Sequence, residues 1–265
     1  MQQTTASPHD LPPTLAGRRV DLSDPEAEAF RADCMRHPHG RVRQGLRRML
    51  GRFVSDFDAN ALLGMHDMHL LGTDAWRRLL AHAGWEPPEG GRLLDVGAGD
   101  GRVTAPLAAL FADVVATETS AAMARRLRRR GWRCHHMDLA EADLPEPGPF
   151  DAVALLNVLD RTDRPLTLLA RARNLVKASG RLLLAVPFPL RPHVHVGAAT
   201  VDPDEPLPQR DGSWEAGVGA FVRGVLEPAG LEVRALARVP YLSRGVHGRP
   251  VVALDDAVMA CSPLR

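Results

Sequence analysis

The sequence predicts an α/β fold, a doubly wound and mostly parallel sheet with an N-terminal helical extension. Short apolar runs alternate with segments of helical periodicity from about residue 92 onward. The runs are nearly continuous in hydrophobic residues, which is typical of strands covered on both faces of a parallel sheet. A Gly-rich turn follows the first run, at a position where sheets of this kind bind ligands.

The residues before the sheet are predicted to form two parts. Residues 1–23 are rich in Pro, Thr and Ser and are expected to be a disordered lead. Residues 24–88 are expected to be helical, because Asp24-Pro25 is a good helix start and "GRVRQGLRRMLGRF" and "TDAWRRLLAHAG" follow it. The segment "EPPEGG" then marks a joint, after which the main domain is predicted over residues 89–265.

The elements of the main domain are assigned from their patterns. Strands are predicted at "RLLDVG", "DVVATE", "WRCHHM", "FDAVALLN", "GRLLLAVP", "LEVRALARV" and "VVALDDAVMA". Helices are predicted over 101–111, at "SAAMARRLRRR", at "RPLTLLARARNLV" and near 213–229. The polar, Pro-rich residues 197–212 are predicted to form an excursion from the sheet.

Composition narrows the function classes. A charged fraction of 25%, a hydrophobic fraction of 45% and a net charge of +1 are ordinary for a globular protein and favour neither nucleic acid nor membrane. The three cysteines lie far apart and lack metal-ligand spacing, so no metal is expected. The first residues lack an apolar segment, and no apolar run approaches the roughly 20 residues that span a bilayer. These features predict a cytoplasmic protein.

The Gly-rich turn "GRLLDVGAGDGRVT" predicts the cofactor. A dinucleotide fingerprint requires glycine at the sixth place counted from Gly97, and Arg102 stands there. Two acids beside the turn suit a cationic sulfonium ligand with an ammonium group better than they suit a pyrophosphate. The turn is therefore expected to bind S-adenosyl-L-methionine and to leave S-adenosyl-L-homocysteine as product. The expected contacts are Asp95, Gly97, Ala98, Gly99 and Asp100.

Polar residues at the ends of the next strands extend the predicted site. Glu118 ends the second strand, where an acid can accept hydrogen bonds from ribose hydroxyls. Asp138 follows the third strand and is expected to face the adenine amino group. Asn157 and Asp160 follow the fourth strand, over the expected position of the transferable methyl group. Asn157 is assigned to both cofactor and catalysis.

Several blocks of the chain resemble the DREV family of methyltransferase-like proteins. They are "LLDVGAGDGRVT", "ATETS", "LLNVLDRTDRPLTLL", "VPFPLRP" and "RVPYLSRGVHGRPVVALDDAV". The resemblance runs from about Asp56 to the C-terminus, and the third and fifth blocks are distinctive. It implies a seven-strand, Rossmann-like class I methyltransferase domain.

The resemblance also implies an activity and a set of site residues. Members of the family methylate protein histidine on the ring nitrogen nearer the backbone (the pros position), in His-x-His segments with a small central residue. The implied partner is a histidine-containing protein or peptide. The family's cofactor residues match Asp95, Gly97, Gly99, Asp100 and Glu118, and its substrate-side residues match Asn157, Asp160 and Tyr241.

Substrate recognition departs from the family at one position. The family has a second Tyr shortly before "LDD", and Val252 stands at the aligned place here. His247, or a residue of the 197–212 segment, is a candidate substitute. His193 and His195 form a His-x-His arrangement of their own, which is expected either to line the substrate groove or to be methylated by a neighbouring molecule. The larger Val194 favours the groove role.

Two other functions stay open on the sequence. A methyltransferase of the same fold could act on RNA or a small metabolite, since "RRLRRRGWR" is strongly basic, although an exposed helix face explains it better. A non-catalytic cofactor-binding module is the second alternative. For histidine transfer, Asp160 is the expected carboxylate that fixes the imidazole tautomer. Asn157 is expected either to orient Asp160 or to hold the substrate backbone, and Tyr241 to pack against the substrate or to hydrogen-bond it.

Overall fold

The computed structural model describes residues 11–40, 67–196, 199–208, 212–246 and 248–264. Within these ranges no helix is both long and apolar enough to cross a membrane. The same ranges contain no group of three or more His, Cys, Asp or Glu side chains arranged to hold a metal ion.

A mixed eight-stranded sheet forms the centre of the fold, and a two-stranded ribbon, β7 with β8, lies apart from it. The strands are β1 (Met68–His69), β2 (Arg92–Val96), β3 (Asp113–Glu118), β4 (Arg133–His136), β5 (Phe150–Leu156), β6 (Val176–Pro187), β7 (Val194–Val196), β8 (Ala199–Val201), β9 (Leu231–Val246) and β10 (Arg249–Pro263). The order in the sheet is β4-β3-β2-β5-β6-β10-β9-β1. The strands from β4 to β6 are parallel, and β10 inserts antiparallel between β6 and β9. The predicted α/β sheet is confirmed.

The strand order reverses at β2, whose neighbours are β3 on one side and β5 on the other. Open α/β sheets bind ligands beyond the carboxyl ends of the strands at such a switch point. The Gly-rich turn after β2 and the loop after β5 are therefore the two segments that flank the expected crevice.

The helices cover both faces of the sheet. They are α1 (Pro13–Ala16), α2 (Pro25–Arg36), α3 (Thr73–His82), α4 (Ala105–Ala108), α5 (Ala121–Arg129), α6 (Pro165–Asn174) and α7 (Trp214–Phe221), the last continued by a π-helical segment, Val222–Leu226. The helix predicted over 101–111 is limited to α4. Gly101 has a left-handed φ of +78°, and Pro106 lacks a backbone N–H, so the earlier residues form turns.

Two apolar layers, one on each face of the sheet, make up most of the core. Alternate residues of β2 illustrate the division: Leu93 packs in the layer that contains Trp76, and Leu94 packs in the layer that contains Phe150 and Phe221. Since successive side chains of a strand point to opposite faces, a buried strand needs hydrophobic residues at every position.

The predicted disordered lead is wrong for residues 11–23. Leu11 and Leu15 are buried in the same core layer as Leu94, and the main chain forms two hydrogen bonds with Leu236 of β9 at 2.9 Å. Two leucines four residues apart share one face of a helical turn, which explains why this Pro-rich segment is ordered. Residues 1–10 lie outside the described ranges.

The helical extension contains α2 and α3, as predicted, and it also supplies the edge strand β1. Asp24 caps α2, because its carboxylate accepts a hydrogen bond from Glu26 N at 3.1 Å. The segment "GRVRQGLRRMLGRF" lies outside the described residues. The boundary at residue 88 stays a prediction.

The packing of Leu15 gives a stability prediction. Leu15→Ala should lower the free energy of unfolding by about 2–5 kcal/mol, because it removes a buried side chain and leaves a cavity. Thr14→Ala, at the exposed neighbouring position, should change it by no more than about 0.5 kcal/mol. Urea unfolding measures both. Equal stability of the two variants would show that this segment does not pack on the core.

Candidate active site

The Gly-rich turn after β2 adopts a conformation that favours glycine. Gly97, Gly99 and Gly101 have φ values of +70°, +58° and +78°. A Cβ on Gly97 would come within 2.8 Å of Val158, and one on Gly101 within 2.8 Å of Leu127, whereas one on Gly99 would meet no atom within 4 Å. Gly99 therefore borders open space, where a ligand can approach the backbone closely.

Glu118 connects the Gly-rich turn after β2 to the turn after β3. Its carboxylate accepts hydrogen bonds from Gly99 N and from Ser120 N, each at 2.8 Å. The side chain is buried at the end of β3, and the Ala98 N–H donates to Thr117 O at 3.1 Å. Glu118 thus fixes the Gly-rich turn against the residue that caps α5.

Asp95 is a buried acid inside β2. Thr104 Oγ1 donates a hydrogen bond to its Oδ2 at 2.5 Å. Burial raises the pKa of Asp95 to about 7, and the charge of Glu118 adds to this effect, while the Thr104 hydrogen bond opposes it. A positive charge near Asp95 would favour its ionised form.

Asp100 belongs to a chain of charges that the sequence analysis did not find. Arg102 bridges Asp100, at 3.1 Å, to Asp67. Asp67 is bound in turn by Arg244 of β9 at 2.8 Å, and Arg244 also reaches Asp33 of α2 at 2.5 Å. This series of ion pairs joins the Gly-rich turn to the helical extension. No local pattern reveals it, because its members lie far apart in sequence.

Asp138 follows β4 next to the end of β3. Its Oδ1 accepts a hydrogen bond from Ala140 N at 2.7 Å, and Met137 N donates to Glu118 O at 3.1 Å. The side chain is half-buried. Asp138 thus stabilises its own turn, and the residue before it, Met137, makes the direct contact with Glu118.

Asn157 and Asp160, which follow β5, and Asp256 of β10 form a polar cluster. Asn157 Nδ2 donates to Asp256 Oδ2 at 2.8 Å, and Arg161 Nη2 lies 3.3 Å from Asp160 Oδ2. Asn157 Oδ1, Asp160 Oδ1 and Asp256 Oδ1 are buried and accept no hydrogen bond from the described part of the chain. Buried acceptors are nearly always satisfied in native proteins, so three together indicate a site for a donor ligand.

Burial determines the protonation of these acids. It raises the pKa of Asp256 to about 7, with Asp160 and Asp255 adding to the shift and the Asn157 hydrogen bond opposing it. It also raises the pKa of Asp160, against which Arg161 and His193 act.

Asp256 was missed by the sequence analysis. It lies on antiparallel β10 opposite Pro187, the last residue of β6, and this register brings it to the carboxyl edge of the parallel strands. The available signal was an acidic pair inside the otherwise apolar strand "VVALDDAVMA".

Tyr241 of β9 lies in the same region. Its hydroxyl donates to Met68 Sδ at 2.8 Å. Burial raises the pKa of Tyr241, and the carboxylates of Asp256, Asp160 and Asp100 raise it further. Tyr241 therefore lies close enough to Asp256 of β10, Asp160 after β5 and Asp100 of the Gly-rich turn to feel their charges. Val252 is half-buried on β10, two residues before Leu254, which pairs with Tyr241.

The histidine candidates are described to different extents. His193 N donates to Asp160 O at 3.0 Å, and the His193 ring contacts the Arg161 guanidinium group, so His193 borders the polar cluster. The backbone of His195 lies in β7 and pairs with Thr200, while its side chain lies outside the described part of the structure. His247 also lies outside the described residues.

Comparisons with known proteins agree with this geometry. The model of the DREV methyltransferase family matches residues 40–263. A ubiquinone biosynthesis O-methyltransferase from Xylella fastidiosa (strain 9a5c) is 30% identical over 105 residues, which is 37% of this chain and 43% of that enzyme. The match thus spans less than half the length of that relative.

One solved structure shows the same fold. A Burkholderia thailandensis 1,6-didemethyltoxoflavin-N1-methyltransferase, solved with S-adenosylhomocysteine, is similar with a TM-score of 0.51, 20% identity and coverage of 86% of this chain and 93% of that one. An S-adenosylmethionine-dependent methyltransferase from Clostridium acetobutylicum ATCC 824 gives a TM-score of 0.48, 14% identity and coverage of 73% and 91%.

The family match covers most of the chain, and the distinctive blocks of the sequence lie within it. The buried acids and the open space at Gly99 fit a cationic cofactor with several hydrogen-bond donors. The resemblance and the cofactor prediction are both confirmed: the chain belongs to the DREV methyltransferase family, and its cofactor is S-adenosylmethionine.

Proposed function

We propose that the chain methylates a histidine ring nitrogen, at the pros position, in a His-x-His segment of a protein or peptide. The observation that carries this proposal is the unsatisfied Asp160 Oδ1. It is a buried carboxylate oxygen at the edge of the switch-point crevice, and no described residue donates to it. A neutral imidazole offers one N–H to such an acceptor and one lone pair to an electrophile.

The proposed chemistry requires little acid–base catalysis. When bound, S-adenosylmethionine supplies an electrophilic methyl group on its sulfonium sulfur. Imidazole has an ordinary pKa of about 6.5, so its neutral form is available near neutral pH. Asp160 accepts the hydrogen bond from the ring N–H far from the backbone, which leaves the lone pair on the pros nitrogen. As the bond from the ring nitrogen to the methyl carbon forms, the carbon–sulfur bond breaks and neutral S-adenosylhomocysteine leaves. The ring then carries the positive charge, which the carboxylate stabilises until the remaining ring N–H proton is lost to solvent.

Asp160 acts in this proposal as an ionised group. Arg161, at 3.3 Å, opposes the burial that raises the pKa of Asp160. Tyr241 is proposed to pack against the substrate ring, and Asn157 to contact both cofactor and substrate. The proposed cofactor contacts lie at the carboxyl ends of β2, β3, β4 and β5. They are Asp95, Gly97, Ala98, Gly99, Asp100, Glu118, Asp138 and Asn157.

The substrate side is proposed to involve the histidines of the β7 region. His193 is held beside Asp160 through its backbone N–H, and it continues directly into β7, where His195 lies. His193, His195 and His247 are proposed to line the groove. Val252 stands at the position of the family's second Tyr, so we propose that other side chains hold the substrate ring.

A peptide array tests the proposed substrate class. The full chain is incubated with labelled S-adenosylmethionine and His-x-His peptides that differ in the central residue. Mass spectrometry should find one methyl group on a histidine, with higher yield when the central residue is small. Transfer to RNA or to small metabolites without any transfer to the peptides would contradict the proposal, and so would an absence of turnover with every acceptor.

The role of Asp160 gives a second prediction. Asp160→Asn keeps the shape of the side chain but removes the charge that stabilises the imidazolium, so kcat for peptide should fall by about 10²-fold or more. Affinity for S-adenosylhomocysteine should stay within about threefold. Asp163→Asn, in the same loop, is the matched control. Single-turnover rates of Asp160→Asn equal to those of this control would exclude the proposed role.

A further inference from the structure

Asn157 has an unusual backbone conformation at the switch point. Its φ of +58° lies in the left-handed region, which non-glycine residues rarely adopt, and every other described residue with positive φ is a glycine. The backbone N–H is held by Ala185 O of β6 at 2.9 Å. Such a conformation persists only where the surroundings fix it, and it is concentrated at functional sites.

The side chain of Asn157 is held by Asp256. The amide Nδ2 donates to Asp256 Oδ2 at 2.8 Å, across 99 residues of sequence. The Asn157 amide has a donor end and an acceptor end of similar shape. With the donor end on Asp256, the acceptor end, Oδ1, is left buried and without a partner among the residues that the structure describes.

Above its raised pKa of about 7, Asp256 is ionised and permits only this orientation of the amide. A carboxylate accepts hydrogen bonds and cannot donate them, so a flipped Asn157 would place two oxygen atoms against each other. Asp256 is itself completely buried, with 0% exposure, and its Oδ1 has no described partner. Burying a carboxyl group that has a hydrogen bond on only one oxygen lowers the free energy of unfolding. A hydrophobic residue at this core position would give a more stable fold.

We propose that Asp256 is a positioning residue of the cofactor site: it fixes the Asn157 amide so that Asn157 Oδ1 accepts a hydrogen bond from a donor group of bound S-adenosylmethionine. Asn157 begins the loop whose next residue, Val158, lies against Gly97 of the Gly-rich turn. This inference concerns the cofactor and is independent of the identity of the methyl acceptor.

The proposal predicts that Asp256→Val weakens cofactor binding without lowering thermal stability. Asp256→Val removes the acceptor of Asn157 Nδ2, so the amide orientation is no longer specified and affinity for the cofactor should fall about tenfold or more. The same change removes a poorly compensated buried acid from β10, so the thermal midpoint should stay equal or rise. Asp256→Asn can present either an oxygen or an NH2 group to the Asn157 amide, so it specifies the amide orientation only weakly, and its affinity should lie between those of Asp256→Val and the parent protein.

The experiment measures S-adenosylhomocysteine binding to the 265-residue chain by calorimetry at about pH 8, where Asp256 is ionised, together with the thermal midpoint without ligand. Asp255→Asn is the matched control, since Asp255 is the neighbouring acid and pairs with Arg238 outside the site. A double-mutant cycle uses Asn157→Gly, because glycine suits the positive φ. In the Asn157→Gly background, Asp256→Val should reduce affinity by less than about twofold.

Three results would overturn the proposal. They are parent-like binding by Asp256→Val, a lowered thermal midpoint in Asp256→Val that accounts for the lost binding, and full additivity of the two changes in the cycle. If Asp256→Val does not fold, Asp256→Asn decides: affinity below that of Asp255→Asn supports the proposal, and affinity equal to that of Asp255→Asn contradicts it. Because the probe is S-adenosylhomocysteine alone, failure of the histidine proposal leaves these outcomes unaffected.

Discussion

Burial of acidic side chains at one edge of the sheet is the constraint on which the rest of the structure depends. Asp95, Asp100, Glu118, Asp160 and Asp256 are each 5% exposed or less. Ionised groups are costly to bury unless donors surround them. The chain compensates these acids to different degrees, and the least compensated ones mark where a ligand must supply donors or positive charge.

The two halves of the crevice differ in this compensation. On the side of β3, Glu118 is satisfied by two backbone N–H groups, and Asp100 is paired with Arg102. On the side of β5, Asp160 and Asp256 each keep one oxygen that no described residue satisfies. The first half is therefore preformed as a rigid turn. The second half is completed by what binds to it.

The helical extension stabilises the preformed half. Arg244 is nearly buried and binds Asp33 of α2 and Asp67 together, and Arg102 continues the connection to the Gly-rich turn. Paired and buried arginines hold planar, bidentate geometries better than lysines would. The extension is thus part of the framework of the site, and β1 adds to the same edge through Met68, which accepts the hydrogen bond of Tyr241.

Features that depend on local pattern were predicted well from the sequence. Continuous apolar runs gave the parallel strands, and the glycines after the first run marked the turn that borders the switch-point crevice. Asp256 was missed because its place depends on the antiparallel register of β10 against β6, which no local pattern encodes. Order at Leu11 and Leu15 was missed because the Pro-rich composition of the lead outweighed two apolar residues at helical spacing.

The release of protons on cofactor binding is the most direct test of the claim that poorly compensated buried acids mark the ligand site. In the free protein the pKa values of Asp95 and Asp256 are raised to about 7, so both acids carry protons at about pH 6. A cationic ligand favours their ionised forms and lowers these pKa values. Calorimetric titration with S-adenosylmethionine, repeated in buffers of different ionisation enthalpy, should therefore show net proton release at about pH 6 that disappears above about pH 8. Binding without proton release at about pH 6, or with proton uptake, would contradict the account.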